Sequence, residues 1–224
     1  METDLTLSEK LLLLAIRPGK GGIMGLVSTS LDFTLLGAVI LELALKQRVN
    51  IIDKRVEVIS ADYSTEAWKY LLEKMRGSSK PRKISHWMNH PTFSKRKLKM
   101  AIYHSLVIKK EIRLEDRHFL FIRWKKPFLH PAHHASQLIF KVKDIVSGGS
   151  DHPEDIYLLT LLEVTGLLRR IYTERAARYA ARTKIKQFQM FNTSSESIRQ
   201  AIETAKMVRS AIITSVAAAH ASHV

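Results

Sequence analysis

The sequence predicts a mainly α fold, a single helical-bundle domain with small β-hairpins over residues 1–224. Three observations lead there. Leucine- and alanine-rich stretches at Leu11–Ile16, Glu154–Phe191 and Ser195–Ala221 have the composition of packed bundle helices. Strand-like alternation is confined to two short stretches, near residues 49–59 and 111–124. The chain's 224 residues are 46% apolar, enough to bury one sizeable core.

The elements follow in order. Thr6-Leu7-Ser8-Glu9 fits a capping box, with Thr6 as cap and Glu9 reaching back. It opens an apolar helix that Arg17-Pro18-Gly19-Lys20-Gly21-Gly22 ends, because Pro and Gly extend a helix only at a cost. A second core helix is expected from about Asp32 to Lys46. Val49-Asn50-Ile51-Ile52 and Val56-Glu57-Val58-Ile59 alternate like paired strands around Asp53-Lys54-Arg55. A helix from about Ser64 to Met75, a linker at Gly77-Ser78-Ser79-Lys80-Pro81 and a short helix around Trp87 come next. A basic helix starts near Thr92 or Ser94 and ends near Ile108. Residues 111–124 read as a hairpin with Ile112 and Leu114 on one arm, Phe119-Leu120-Phe121-Ile122 on the other, and Glu115-Asp116-Arg117 at the tip. After Pro131 the chain is helical, with breaks at Ser147-Gly148-Gly149-Ser150 and Asn192-Thr193-Ser194. Asp151 and Pro153 are suited to start a helix.

The composition narrows the function. With no cysteine there is no disulfide framework and no thiol chemistry, and a reducing, cytoplasmic compartment is expected. The first residues, Met1-Glu2-Thr3-Asp4, are acidic where a signal peptide is basic. The longest apolar candidate, Leu35–Leu45, is interrupted by Glu42 and reads as a core helix, so membrane contact is expected to be peripheral.

The formal net charge is +15 and the pI about 10.1. Residues 76–126 hold fifteen lysines and arginines against three acids, a net +12, which leaves the rest of the chain nearly neutral as a whole. Solubility needs no such one-sided excess, and an anionic partner is expected. On the basic helix Lys95, Lys99 and Ile102 share a face, as do Arg96, Lys99 and Tyr103. Arg96 and Lys99, one turn apart, can address a single phosphate, with Lys95 and Lys97 adding to the field. A hairpin carrying Phe119, Phe121 and Trp124 offers apolar insertion, although strand alternation would turn about half of its aromatics towards the core.

The sequence resembles the Golgi phosphoprotein 3 family of phosphoinositide-binding peripheral membrane proteins, in a bacterial or divergent form. Three stretches carry the likeness. They are Leu5-Thr6-Leu7-Ser8-Glu9-Lys10 with the leucines that follow and a Gly-rich loop, Leu35-Leu36-Gly37-Ala38-Val39-Ile40-Leu41-Glu42-Leu43-Ala44-Leu45-Lys46-Gln47-Arg48, and Ser105-Leu106-Val107-Ile108-Lys109-Lys110-Glu111-Ile112 followed by the hairpin and His130-Pro131. The resemblance implies a helical core that docks on membranes through a phosphatidylinositol 4-phosphate site. It also implies a hairpin that serves membrane contact or self-association. The family's two basic residues three apart fall on Arg96 and Lys99. Its Arg falls on Leu36 and its Trp near Val27, so half of that constellation is replaced and the headgroup is left open.

Two other readings compete. A basic helix followed by a hairpin is also the outline of a winged helix, in which Lys95, Arg96, Lys97 and Lys99 would contact nucleic-acid phosphates and Arg117 would enter a groove. An enzyme is disfavoured: Gly19-Lys20-Gly21-Gly22 lacks phosphate-loop spacing and no Gly-x-Ser-x-Gly elbow occurs. His130, His133 and His134 read as surface or capping histidines with no carboxylate nearby, rather than as a metal site. No cofactor is expected.

Overall fold

The fold is built around one helix that is apolar on nearly every side. In the computed structural model, which describes residues 5–90, 93–148, 150, 152–191 and 196–221 (the side chains of 188–191 excepted), α2 runs from Ser28 to Leu45, and every residue from Phe33 to Leu43 is buried. It begins a turn earlier than expected, continuing from a 3₁₀ turn at Gly25–Val27. The two together, Gly25–Leu45, have a mean hydropathy of 1.7 over 21 residues, so this run is long and apolar enough to cross a membrane. That corrects the shorter run read from sequence. Its burial gives it another role here, since 72% of its most apolar 18-residue window is buried inside the fold.

Helix α1, Leu7–Ala15, packs on α2 and starts as expected. Thr6 Oγ1 accepts from Glu9 N, and Glu9 Oε2 accepts from Thr6 N at 2.7 Å, which satisfies two N-terminal donors at once. The buried Glu42 of α2 accepts from Ser8 N and from Trp68 Nε1, each at 2.6 Å, so one carboxyl joins three elements. Burial pushes its pKa up, and those hydrogen bonds partly oppose the push.

Strands β1 (Val49–Ile52) and β2 (Arg55–Val58) pair antiparallel around Asp53-Lys54, whose φ angles of 49° and 62° suit a tight hairpin turn. β3, Arg82–Lys83, adds a third strand directly after the stretch that reads in sequence as linker. Helices α3 (Glu66–Arg76) and α4 (Ile84–Asn89) lead to α5, Lys95–Ile108, which is capped by Ser94. Thr92, the other expected start, lies outside the described residues.

β4 (Ile112–Phe119) and β5 (Ile122–Leu129) form a two-stranded ribbon. Its turn is Leu120-Phe121, which corrects the expected tip. Glu115, Asp116 and Arg117 lie within β4, opposite Lys126, Lys125 and Trp124 of β5. The chain closes with α6 (Ala135–Gly148), α7 (Pro153–Thr165), α8 (Leu168–Ile171), α9 (Arg175–Phe191) and α10 (Glu196–Ala221). The segment 154–191, expected as one helical stretch, is divided at Gly166 (φ 84°) and again at Tyr172–Glu174. Asp151, Asn192–Ser194 and Ser195 fall outside the described residues. α10 lies along α2 and α7. It meets α2 at Gly37, where a Cβ would stand 2.8 Å from Ile212 Cδ1 and 2.9 Å from Val208 Cγ1. Only glycine lets the two helices come this close.

Candidate anionic-surface site

Helix α5 opens with Lys95-Arg96-Lys97, three cations at the end where the helix dipole is itself positive. An acid would be the stabilising choice there, and the first turn has none. Ser94 holds this end in place: its Oγ accepts from Lys97 N at 3.2 Å, and its N–H donates to Tyr70 Oη at 2.9 Å. Leu98, Ile102, Tyr103 and Leu106 bury the opposite face.

The four expected cations divide into two pairs. Arg96 and Lys97 are exposed and have no acidic partner among the described residues. Lys95 and Lys99 turn towards α2. Lys95 Nζ lies 3.9 Å from the centre of the Phe33 ring, and burial lowers its pKa while Asp32 opposes the change. Lys99 Nζ pairs with Asp32 Oδ1 at 2.7 Å. Arg96 and Lys99 therefore do not form an equal pair facing solvent.

The basic segment also carries less free charge than its composition suggests. Lys99, Lys109, Arg113, Arg117 and Lys125 are all ion-paired, the first two to Asp32 and Glu9 on other elements and the last three within the ribbon, to Glu115 and Asp116. Where the resemblance calls for an Arg the chain has Leu36, and near the place where it calls for a Trp the chain has Val27. Both are core residues, 0% and 2% exposed.

The loop between α1 and α2 links the ribbon to the α5 start. Gly22 N donates to Pro127 O at 2.7 Å, and Gly21, at φ 62°, lies against the Phe128 ring, where any Cβ would come within 2.5 Å of the ring carbons. The same ring carries Arg113, Lys126 and Arg117 at 4.9, 5.0 and 5.9 Å from its centre. From there the loop runs past the exposed Leu26 into α2, whose second turn holds Asp32.

Beyond its base the ribbon leaves the core. Ile112 is buried, and Leu114 and Leu129 are packed against the core. From Asp116 to Lys125 every residue is exposed on both faces. Phe119, Leu120, Phe121 and Ile122 are 66%, 77%, 100% and 67% exposed, and Trp124 is 43% exposed. The expected split, with half of the aromatics turned inward, does not occur, because no described residue covers either face. Arg117, His118 and Arg123 flank the apolar turn.

The histidines after the ribbon have structural roles. His133 Nδ1 accepts from Ala135 N at 3.1 Å at the start of α6, and His130 Nδ1 accepts from Ala132 N at 3.2 Å. A carboxylate does reach this cluster, contrary to expectation: the buried Glu111 bonds His134 N at 2.9 Å and His134 Nδ1 at 2.5 Å. Burial lowers the His133 pKa, and Glu111 works against that shift. Among the described residues no group of three His, Asp or Glu is placed to hold a metal ion.

These features define a mainly helical protein with two small antiparallel sheets and a protruding ribbon beside a basic helix start. Residues 7–205 match the family model of Golgi phosphoprotein 3 (GPP34), and the chain belongs to that family. No curated protein matches the chain.

Proposed function

We propose that the chain is a cytoplasmic, peripheral binder of anionic lipid surfaces, and that it acts by binding rather than by catalysis. The supporting observation is the ribbon turn. Two-residue hairpin turns favour Asn-Gly or Gly-containing pairs. Here the turn is Leu120-Phe121, solvated on all sides, with Leu120 at φ 51°, a left-handed conformation that costs a leucine about 1–2 kcal/mol. Stability and solubility both argue against leucine and phenylalanine at this place, whereas insertion into the apolar layer below lipid headgroups favours them.

In this reading the turn inserts, Trp124 lies at the interface, and Arg117 and Arg123 stay among the headgroups. Arg96 and Lys97 supply the exposed charge at the α5 start, with Lys95 and Lys99 behind them. Each cation near the leaflet contributes about 1 kcal/mol. Phosphatidylinositol 4-phosphate is the headgroup suggested by family membership. With Val27 and Leu36 in the core, binding here follows headgroup charge more than headgroup identity. Self-association through the ribbon and nucleic-acid binding by α5 are the other readings, and family membership lends the second no support.

Co-sedimentation with vesicles tests the proposal. Binding is expected to rise with the mole fraction of phosphatidylinositol 4-phosphate or phosphatidylserine, and to be lost in Phe121→Ser and in Arg96→Glu with Lys97→Glu. Tighter binding to duplex DNA at matched salt, or a dimer in light scattering that Phe121→Ser dissociates without any vesicle binding by the native chain, would replace this reading.

A further inference from the structure

The C-terminal helices hold a second concentration of positive charge. Residues 169–186 contain seven lysines and arginines and one acid, Glu174. Three- and four-residue spacing puts Arg175, Arg178, Tyr179 and Arg182 on one face of α9, and α8 brings Arg169 to them. These five side chains line a cleft of about 390 Å³, and among the described residues no acid lines it. Arg169, Arg175 and Arg182 are exposed and lack acidic partners among the described residues. Arg178 is half-buried, and its Nη1 donates to the Tyr172 carbonyl at 3.1 Å and to that of Thr173, which positions the guanidinium without neutralising it. Glu174 is exposed at the head of α9 and does not line the cleft.

Like charges three and four residues apart destabilise a helix, so this arrangement weakens α9 when nothing is bound. A guanidinium fork matches the oxygens of phosphate bidentately. One phosphate group carries about −1.5 to −2 charges near neutral pH, so two such groups balance four arginines. We propose that the cleft between α8 and α9 binds an anion carrying two phosphate groups, held by Arg169, Arg175, Arg178 and Arg182, with the Tyr179 hydroxyl as a further donor. No residue of α5 or of the ribbon lines it.

Inorganic pyrophosphate titrated calorimetrically into the full chain is the test. One equivalent should bind, at least tenfold more tightly than orthophosphate. Arg175→Ala with Arg182→Ala, both at exposed positions, should weaken pyrophosphate at least tenfold with an unchanged circular dichroism spectrum, and Arg96→Ala with Lys97→Ala should leave it unaltered. If the double arginine variant loses helicity, Arg169→Ala replaces it. Vesicles containing a phosphatidylinositol bisphosphate separate the two sources of such an anion. Parallel loss of vesicle and pyrophosphate binding in the arginine variant assigns a lipid headgroup, and loss of pyrophosphate binding alone assigns a soluble ligand. Absence of pyrophosphate binding by the native chain, or equal binding by the arginine variant, overturns the proposal.

Discussion

Lys99 Nζ lies 2.7 Å from Asp32 Oδ1, so the basic residue at the centre of the expected headgroup pair is already matched to a carboxylate on α2. The two side chains are 25% and 29% exposed, a setting in which an ion pair adds little to stability.

Asp32→Asn should therefore change binding more than folding. It frees one cation at the α5 start, which at about 1 kcal/mol corresponds to roughly fivefold tighter binding to anionic vesicles. The melting temperature should move little. Co-sedimentation across a phosphatidylserine series reads the effect, and unchanged affinity would mean that Lys99 does not face the surface even when released.

Leu120→Gly removes the left-handed strain and an apolar anchor together. Hydrogen exchange in the ribbon should slow, because the turn becomes more favourable by about 1 kcal/mol. Vesicle affinity should fall at the same time. A variant with a firmer ribbon and undiminished affinity would show that the exposed leucine has no part in binding.

Glu42 gives a pH signature. Its folded-state pKa is raised by burial, so it holds its proton more tightly in the folded chain than in the unfolded one. The stabilisation linked to that proton is complete below the ordinary glutamate range and is lost as pH rises through the raised folded-state value. Glu42→Gln has no such proton, so its stability relative to the native chain should improve as pH rises from about 4 to 8. Urea titrations at several pH values measure this, and a pH-independent difference would show that burial leaves the Glu42 carboxyl titrating as it does in the unfolded chain.

Gly37→Ala should destabilise the α2–α10 contact. Overpacking costs about 1–3 kcal/mol, partly offset by about 1 kcal/mol of helix propensity. Val208 Cγ1 is one of the two atoms in the way, so Val208→Ala in the same chain should recover part of the loss. Additive destabilisation in the double variant would place the strain elsewhere.

Local signals in the sequence carry well into the structure. The Thr6–Glu9 capping box, the Asp53-Lys54 turn and the α5 start at Ser94 each depend on neighbouring residues, and each is legible there. The ribbon turn is not. With both faces in solvent there is no inward-facing set to fix the alternation, and a Leu-Phe turn looks like strand while Glu115-Asp116-Arg117 looks like a turn. The Lys99–Asp32 and His134–Glu111 contacts join residues 67 and 23 positions apart, which no spacing rule anticipates. The arginine cleft does leave a trace, since Arg175, Arg178 and Arg182 have helical spacing. The alanines around them dominate the character of that stretch, and the larger charge excess of residues 76–126 overshadows theirs.

The ribbon beyond Leu114 gives almost nothing to the interior, and the interior asks almost nothing of it. Mutations there are hardly screened by folding at all. If the tip inserts as proposed, a change of tip residues alters the membrane that is preferred while the helices around α2 stay as they are. Recognition can drift quickly on a scaffold that changes slowly.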